Sequence, residues 1–178
     1  YDSYRNAFPV ILLNLKDIVP EEGVCSYETF LRGMSVLLRR LFRGYGYLRE
    51  SPATDQSDRD IIDLFLNLRA DEVLLANGPA MLMEMLKAHH GRNVVVLIDE
   101  YDRAITNSFP TDVGKRILGF MSLMMSSMLK DNPNLQMGYI TGITQVAKAG
   151  MFSGLNNLTV NNIFSLRSDE RFGFTESE

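Results

Sequence analysis

Apolar positions fall into two kinds of pattern along the chain. Short continuous runs occur at Phe8-Pro9-Val10-Ile11-Leu12-Leu13-Asn14-Leu15, at Val94-Val95-Val96-Leu97-Ile98 and at Leu135-Gln136-Met137-Gly138-Tyr139-Ile140-Thr141. Runs of this length predict strands, and the unbroken, β-branched central run predicts one buried on both faces, as in a parallel sheet. Pro9 suits the first residue of a strand better than its centre. Between the runs, apolar residues recur at helical spacing. From Ser26, a suitable N-cap, Phe30, Met34, Leu37, Leu38, Leu41 and Phe42 share one face. Ser57-x-x-Asp60 predicts the start of a shorter helix carrying Ile61, Ile62, Leu64, Phe65 and Leu68. Asn77-Gly78-Pro79 predicts a break, with Pro79 opening a helix that buries Met81, Leu82, Met85 and Leu86 and stops at Gly91. Thr111 caps a long helix whose face is Val113, Ile117, Phe120, Met121, Met124 and Met128, and Asp131-Asn132-Pro133-Asn134 is a turn. Strand, helices, strand, helix, strand is a βαβ alternation, so the expected fold is α/β with a parallel sheet between helical layers.

Composition narrows the class without naming a chemistry. The 178 residues are 46% hydrophobic and 22% charged, an ordinary balance for one globular domain spanning 1–178. A net charge of −4 offers no broad basic surface, so nucleic acid is not indicated by this segment. One cysteine, Cys25, excludes an internal disulfide and fits a reducing, cytoplasmic setting. No apolar run reaches membrane-spanning length, so no membrane association is expected. The chain opens on Tyr1 and closes on Thr175-Glu176-Ser177-Glu178, a capping box with no helix after it, which predicts a fold truncated at both ends. Arg32, Arg39, Arg40 and Arg43 read as the solvated flank of a helix. His89 and His90 are neighbours that do not face the same way on a helix, and read as cations complementing its C-terminus. The methionines from Met121 onward read as core packing.

The chemistry sits where the central run ends, at Asp99-Glu100-Tyr101-Asp102. In open α/β sheets ligands bind at the carboxyl ends of the strands, where these acids must lie. A hydrophobic strand delivering Asp-Glu at its tip is the Walker B pattern of P-loop NTPases. On that reading Asp99 binds Mg²⁺ through water, with Asp102 a further cofactor-binding candidate. Glu100 orients or deprotonates the attacking water. A polar residue at the tip of an adjacent strand would sense the γ-phosphate, Thr141 being the first candidate and Thr144 the second. Two rivals use the same acids. The four residues also spell the D-E-x-D box of helicases, against which stand the acidic balance and the lack of basic–aromatic interleaving. A metal-dependent nuclease of the PD-(D/E)xK type could use Asp99, Glu100 and Asp102, but the E-x-K triplet it wants is absent. The phosphate-wrapping G-x-x-x-x-G-K-[ST] loop also occurs nowhere; the sole Gly-Lys pair, Gly114-Lys115, lies just after a helix start. Walker B without that loop is either a fragment or a dead nucleotide site.

Several stretches together resemble a known family: Val95-Val96-Leu97-Ile98-Asp99-Glu100-Tyr101-Asp102, Gly138-Tyr139-Ile140-Thr141-Gly142-Ile143, Met151-Phe152-Ser153-Gly154-Leu155-Asn156-Asn157-Leu158 and Phe172-Gly173-Phe174-Thr175. They are similar to the AAA-ATPase-like domain of microbial P-loop NTPases, with Phe8 to Asp17 matching the strand after the P-loop helix. The resemblance implies a three-layer α/β/α AAA-like core, ATP and Mg²⁺ as cofactors, and a phosphate loop upstream of Tyr1. It also implies Walker B roles for Asp99 and Glu100, and a C-terminal PD-(D/E)xK nuclease-like domain as a common companion. Oligomeric state is left open, with an oligomer allowed. Ala104 stands where the family often has proline, and Gln145 where many members have a basic residue. The alternative is a non-catalytic interaction or regulatory module that keeps the fold and has lost hydrolysis.

Overall fold

The computed structural model describes residues 5–18, 26–106, 108, 111–143 and 158–161. Three strands, β1 (Val10–Asn14), β2 (Val94–Asp99) and β3 (Leu135–Ile140), form a parallel sheet in the order β1-β2-β3. Val10 to Asn14 pair with Val95 to Asp99, and Val95 to Ile98 with Met137 to Ile140, after an irregularity at Val94/Val95. This is the mixed α/β, parallel-sheet architecture that the alternation of runs predicts.

Helix α1 (Tyr27–Gly44) starts where Ser26 predicts, the Ser26 Oγ accepting from the Thr29 N–H at 3.0 Å. Helix α2 (Gln56–Leu66) starts earlier than the Ser57-x-x-Asp60 pattern suggests. Asp55 is its cap, in a reciprocal box with Asp58. Two carboxylates satisfy the first N–H groups as well as the hydroxyl-led pattern would. Helix α3 (Glu72–His90) corrects a larger expectation: it runs unbroken through Asn77-Gly78-Pro79 from an Asp71 cap to a left-handed Gly91. Proline there removes one intrahelical hydrogen bond, but Gly78 and Pro79 are both buried, among Leu75, Ala76, Leu82 and Met83 of the same helix. Burial of the surrounding turns outweighs the break. A short α4 (Arg103–Thr106) follows β2, and α5 (Asp112–Leu129) is capped by Thr111 as predicted.

One sheet face carries the core. Ile11 and Leu13 of β1, and Val94, Val96 and Ile98 of β2, are buried with Phe30, Leu38, Leu86 and Phe120 of the helices. Gly138 of β3 lies on this side, since a Cβ there would sit 2.8 Å from Cδ2 of Leu129. The seam between α3 and α5 is packed with methionines: Met83, Met121, Met124, Met125 and Met128 are all fully buried, as core packing predicts, whereas Met137 of β3 departs from that expectation at 54% exposed. The opposite face differs from the expectation of a strand covered on both sides. Among the described residues no helical layer covers it, and Leu12, Met137 and Tyr139 are more than half exposed. The structure therefore shows two layers, and the third layer of an α/β/α sandwich is not among the described residues. No helix among them is long and apolar enough to cross a membrane.

Candidate functional site

Alternation along the strands decides which side chains meet at the sheet's carboxyl edge. In β2, Val94, Val96 and Ile98 point into the core, so Asp99 faces the uncovered side, as does its register partner Asn14 in β1. On the other flank the backbone of β3 continues past Ile140, the Thr141 N–H donating to the Ile98 carbonyl at 2.8 Å. Asn14, Asp99 and Thr141 thus form one polar row across all three strand tips.

Asp99 is the acceptor at the centre of that row. Its Oδ1 accepts from the Thr141 hydroxyl at 2.5 Å and from the Glu100 N–H at 3.0 Å, and its Oδ2 from the Asn14 amide at 3.2 Å. Asn14 is itself held, its Oδ1 accepting from the Lys16 N–H at 2.9 Å. Donors on both oxygens fix the carboxylate's orientation. They leave lone pairs free on the half-exposed side for a further ligand.

Glu100 follows in the left-handed region, with φ 53. A non-glycine residue there is uncommon and strained, and it turns the chain sharply out of the strand. The turn is tied down because the Tyr101 N–H donates to the Thr141 carbonyl at 3.2 Å. Asp102 is placed differently from Asp99. It is 5% exposed, and its carbonyl accepts from the N–H groups of Ile105 and Thr106 as α4 begins. Its carboxylate packs against the tip of β3, where a Cβ on Gly142 would lie 2.6 Å from Asp102 Oδ1 and 2.5 Å from the Tyr101 ring. The Asp102 side chain is thus buried where the loop meets the tip of β3. Thr144 and the Asn156-Asn157 pair lie outside the described residues.

Two members of this constellation are missing from the sequence-based candidates, Asn14 and Gly142. Asn14 had a usable signal, since it ends an apolar run just as Asp99 does. Gly142 had none without the contact. A shallow groove of about 520 Å³ lies elsewhere, between α1 and the start of α3, lined by Leu31, Val36, Leu68 and Leu75 among others, and holds none of the candidates.

Among the described residues no group of three or more His, Cys, Asp or Glu side chains could enclose a metal. A single oriented carboxylate beside neutral polar groups instead suits Mg²⁺, which keeps most of its waters and takes its remaining ligands from phosphate oxygens.

The comparisons with known proteins identify a family. A family model described as AAA-ATPase-like, "Predicted AAA-ATPase", matches residues 2–152. A protein of Azotobacter chroococcum mcd 1, described as "Uncharacterized protein in vnfD 5'region", is 29% identical over 98 residues, which are 54% of this chain and 19% of that protein. The matched stretch thus spans about a fifth of that relative's length. No solved structure matches.

Proposed function

Because the chain belongs to the AAA-ATPase-like family of predicted AAA-ATPases, we propose that it is the nucleotide-hydrolysing part of an ATPase, with the Asn14–Asp99–Thr141 row facing Mg-ATP. The observation that carries the reading is the oriented carboxylate of Asp99 at the carboxyl edge of a parallel sheet, with Glu100 on a strained turn beside it. Asp99 would hold a water of the Mg²⁺ shell, and the metal would neutralise charge building up on the phosphates. Glu100 would orient the attacking water and accept its proton. The Thr141 hydroxyl couples the tip of β3 to Asp99, and through it to the γ-phosphate. Thr144 is a second candidate for that contact. Asp102 and Gly142 keep the two strand tips together.

A phosphate loop is the part this reading requires from upstream of Tyr1. The uncovered sheet face gives its helix a place. A helix lying antiparallel to the strands on Leu12, Leu97 and Tyr139 would direct its N-terminus, the end that binds phosphate, towards the Asp99 row. A C-terminal nuclease-like domain and a cytoplasmic location belong to the same proposal.

The test is Mg-ATP binding and turnover by the native protein that supplies the phosphate loop. Asp99→Ala is expected to abolish Mg²⁺-dependent binding. Glu100→Gln should keep binding and slow turnover by roughly 10²–10⁴-fold. Hydrolysis that survives Glu100→Gln would sink the assignment of the base. A protein that binds no nucleotide would favour the non-catalytic interaction module instead.

A further inference from the structure

At the edge of the sheet opposite Asp99, folding assembles a surface that the linear sequence scatters. Helices α1 and α3 both end there: the Tyr45 hydroxyl donates to the Val10 carbonyl at the start of β1, and α3 runs directly into β2. Four aromatic or imidazole rings meet. Tyr45 and Tyr47 are 6.3 Å apart between centroids, Tyr47 and His89 5.2 Å, and His89 and His90 4.6 Å. Hydrogen bonds fix the group, Tyr47 Oη to His90 Nε2 at 2.8 Å and His89 Nδ1 to Ser51 Oγ at 2.8 Å. The rings are not core. Tyr47 is 44% exposed, and both histidines are exposed.

Leading into this platform, the last turns of α1 carry Arg39, Arg40 and Arg43, all exposed. The i,i+3 and i,i+4 spacings place these arginines together. None of them takes part in an ion pair among the described residues, whereas Arg32 pairs with Glu28 and Arg49 with Asp63. Unpaired guanidinium groups in a chain of net charge −4 are a local reversal of the overall field. Complementing the α1 dipole would explain a cation in its last turn, but not a ring platform beside it. Burial, with the neighbouring His89, lowers the pKa of His90, so at neutral pH its ring is an uncharged face and not the helix-capping cation that the sequence suggests.

We propose that this edge is a docking surface for single-stranded nucleic acid, with Tyr47 and the imidazoles stacking on unpaired bases and the α1 arginines tracking the phosphates. Aromatic faces beside a positive track are what sequence-tolerant single-strand binding needs. A duplex keeps its bases stacked and would leave the rings idle. An acidic peptide would use the arginines alone.

The experiment is fluorescence anisotropy of a labelled thymidine oligomer with the intact protein across a salt series. Saturable binding is expected. Tyr47→Ala should weaken it about tenfold, and Tyr47→Phe, which keeps the ring, should preserve it. Replacing Arg39, Arg40 and Arg43 by Gln should reduce the log–log salt slope by about 2, at roughly 0.7 per phosphate contact on a single strand. These sites are exposed, so circular dichroism melts of the variants should match the parent. No binding, or binding that Tyr47→Ala leaves unchanged while inorganic polyphosphate competes equally, would overturn the proposal. Preferential binding to phosphatidylserine vesicles would also overturn it, assigning the surface to a membrane. Mg-ATP binding is expected to be unchanged in the arginine variants, so failure here leaves the reading of the other edge standing.

Discussion

Gly78→Ala sets two physical effects against each other in the middle of α3. Helix propensity alone says the substitution stabilises, by about 1 kcal/mol. The site says otherwise. A Cβ at Gly78 would lie 2.3 Å from Cζ of Phe65 and 2.9 Å from its Cε1. The Phe65 ring is 1% exposed and stacked on Phe42 with centroids 4.1 Å apart and planes 5° apart. Aromatic carbons are already at contact near 3.5–4.0 Å, so the ring has no gap to retreat into. Overpacking of this kind costs about 1–3 kcal/mol, and more when neighbours are locked. The net expectation is a loss of up to about 2 kcal/mol, read as a lower urea midpoint at unchanged slope. The matched control is Gly119→Ala in α5, where a Cβ meets nothing within 4 Å and the propensity gain of up to about 1 kcal/mol should appear intact. Shortening the ring should relieve the clash, so Phe65→Leu and Gly78→Ala together should cost less than their sum. If Gly78→Ala is as stabilising as Gly119→Ala, the packing of α2 against α3 described above is wrong.

Three further outcomes follow from the same structure. Gly142→Ala should push the tip of β3 off Tyr101 and Asp102, and weaken Mg-ATP binding of the nucleotide-competent protein about tenfold or more, as expected for roughly 1–2 kcal/mol of strain at the site, measured by calorimetry. Tyr27→Phe removes the 2.6 Å hydrogen bond to Glu72 Oε1, at about 1 kcal/mol near neutral pH. Desolvation and then the Glu72 carboxylate raise the Tyr27 pKa to about 12 from 10.0. The unfolded chain therefore loses that proton first, and Tyr27's contribution is complete below pH 10.0 and disappears as the pH rises through about 12. Tyr27→Phe should flatten the fall in melting temperature across that window, and an identical fall in both proteins would refute the coupling. Pro79→Ala restores an intrahelical donor worth about 3 kcal/mol against about 1.6 kcal/mol for two buried methylenes, so a net gain of about 1 kcal/mol is expected in urea titration.

The residues that declared themselves in sequence were those governed by short-range rules. Ser26, Thr111 and Gly91 bound their helices as their side chains or backbone freedom require, and three apolar runs became three parallel strands. Asp99 reached the carboxyl edge because its strand had to end where the apolar run did. The misses share a different cause. Asn77-Gly78-Pro79 carries every local mark of a break, yet Phe65, thirteen residues earlier, needs a glycine in a continuous helix there. The unbroken Val94–Ile98 run suggests two covered faces, but which residues cover a sheet is a matter of partners, not of the strand. Asn14 and Asp99 are 85 positions apart, and only strand register makes them neighbours. The ring platform escaped for the same reason, since Tyr47 and His90 are 43 positions apart.

The methionine seam between α3 and α5 also gives the protein a chemical memory of its own opening. Thioethers at Met83, Met121, Met124, Met125 and Met128 are sealed from solvent, while Met137, 54% exposed, is not. Peroxide converts an accessible thioether to a polar sulfoxide, which a closed core cannot readmit. Met137 therefore records the oxidant dose, and the seam records how often the two helices part. A peptide map from one exposed sample reads both, so the ratio of sulfoxide at the seam to sulfoxide at Met137 is an internal gauge of that motion. Each event at the seam also leaves the helices less able to close again.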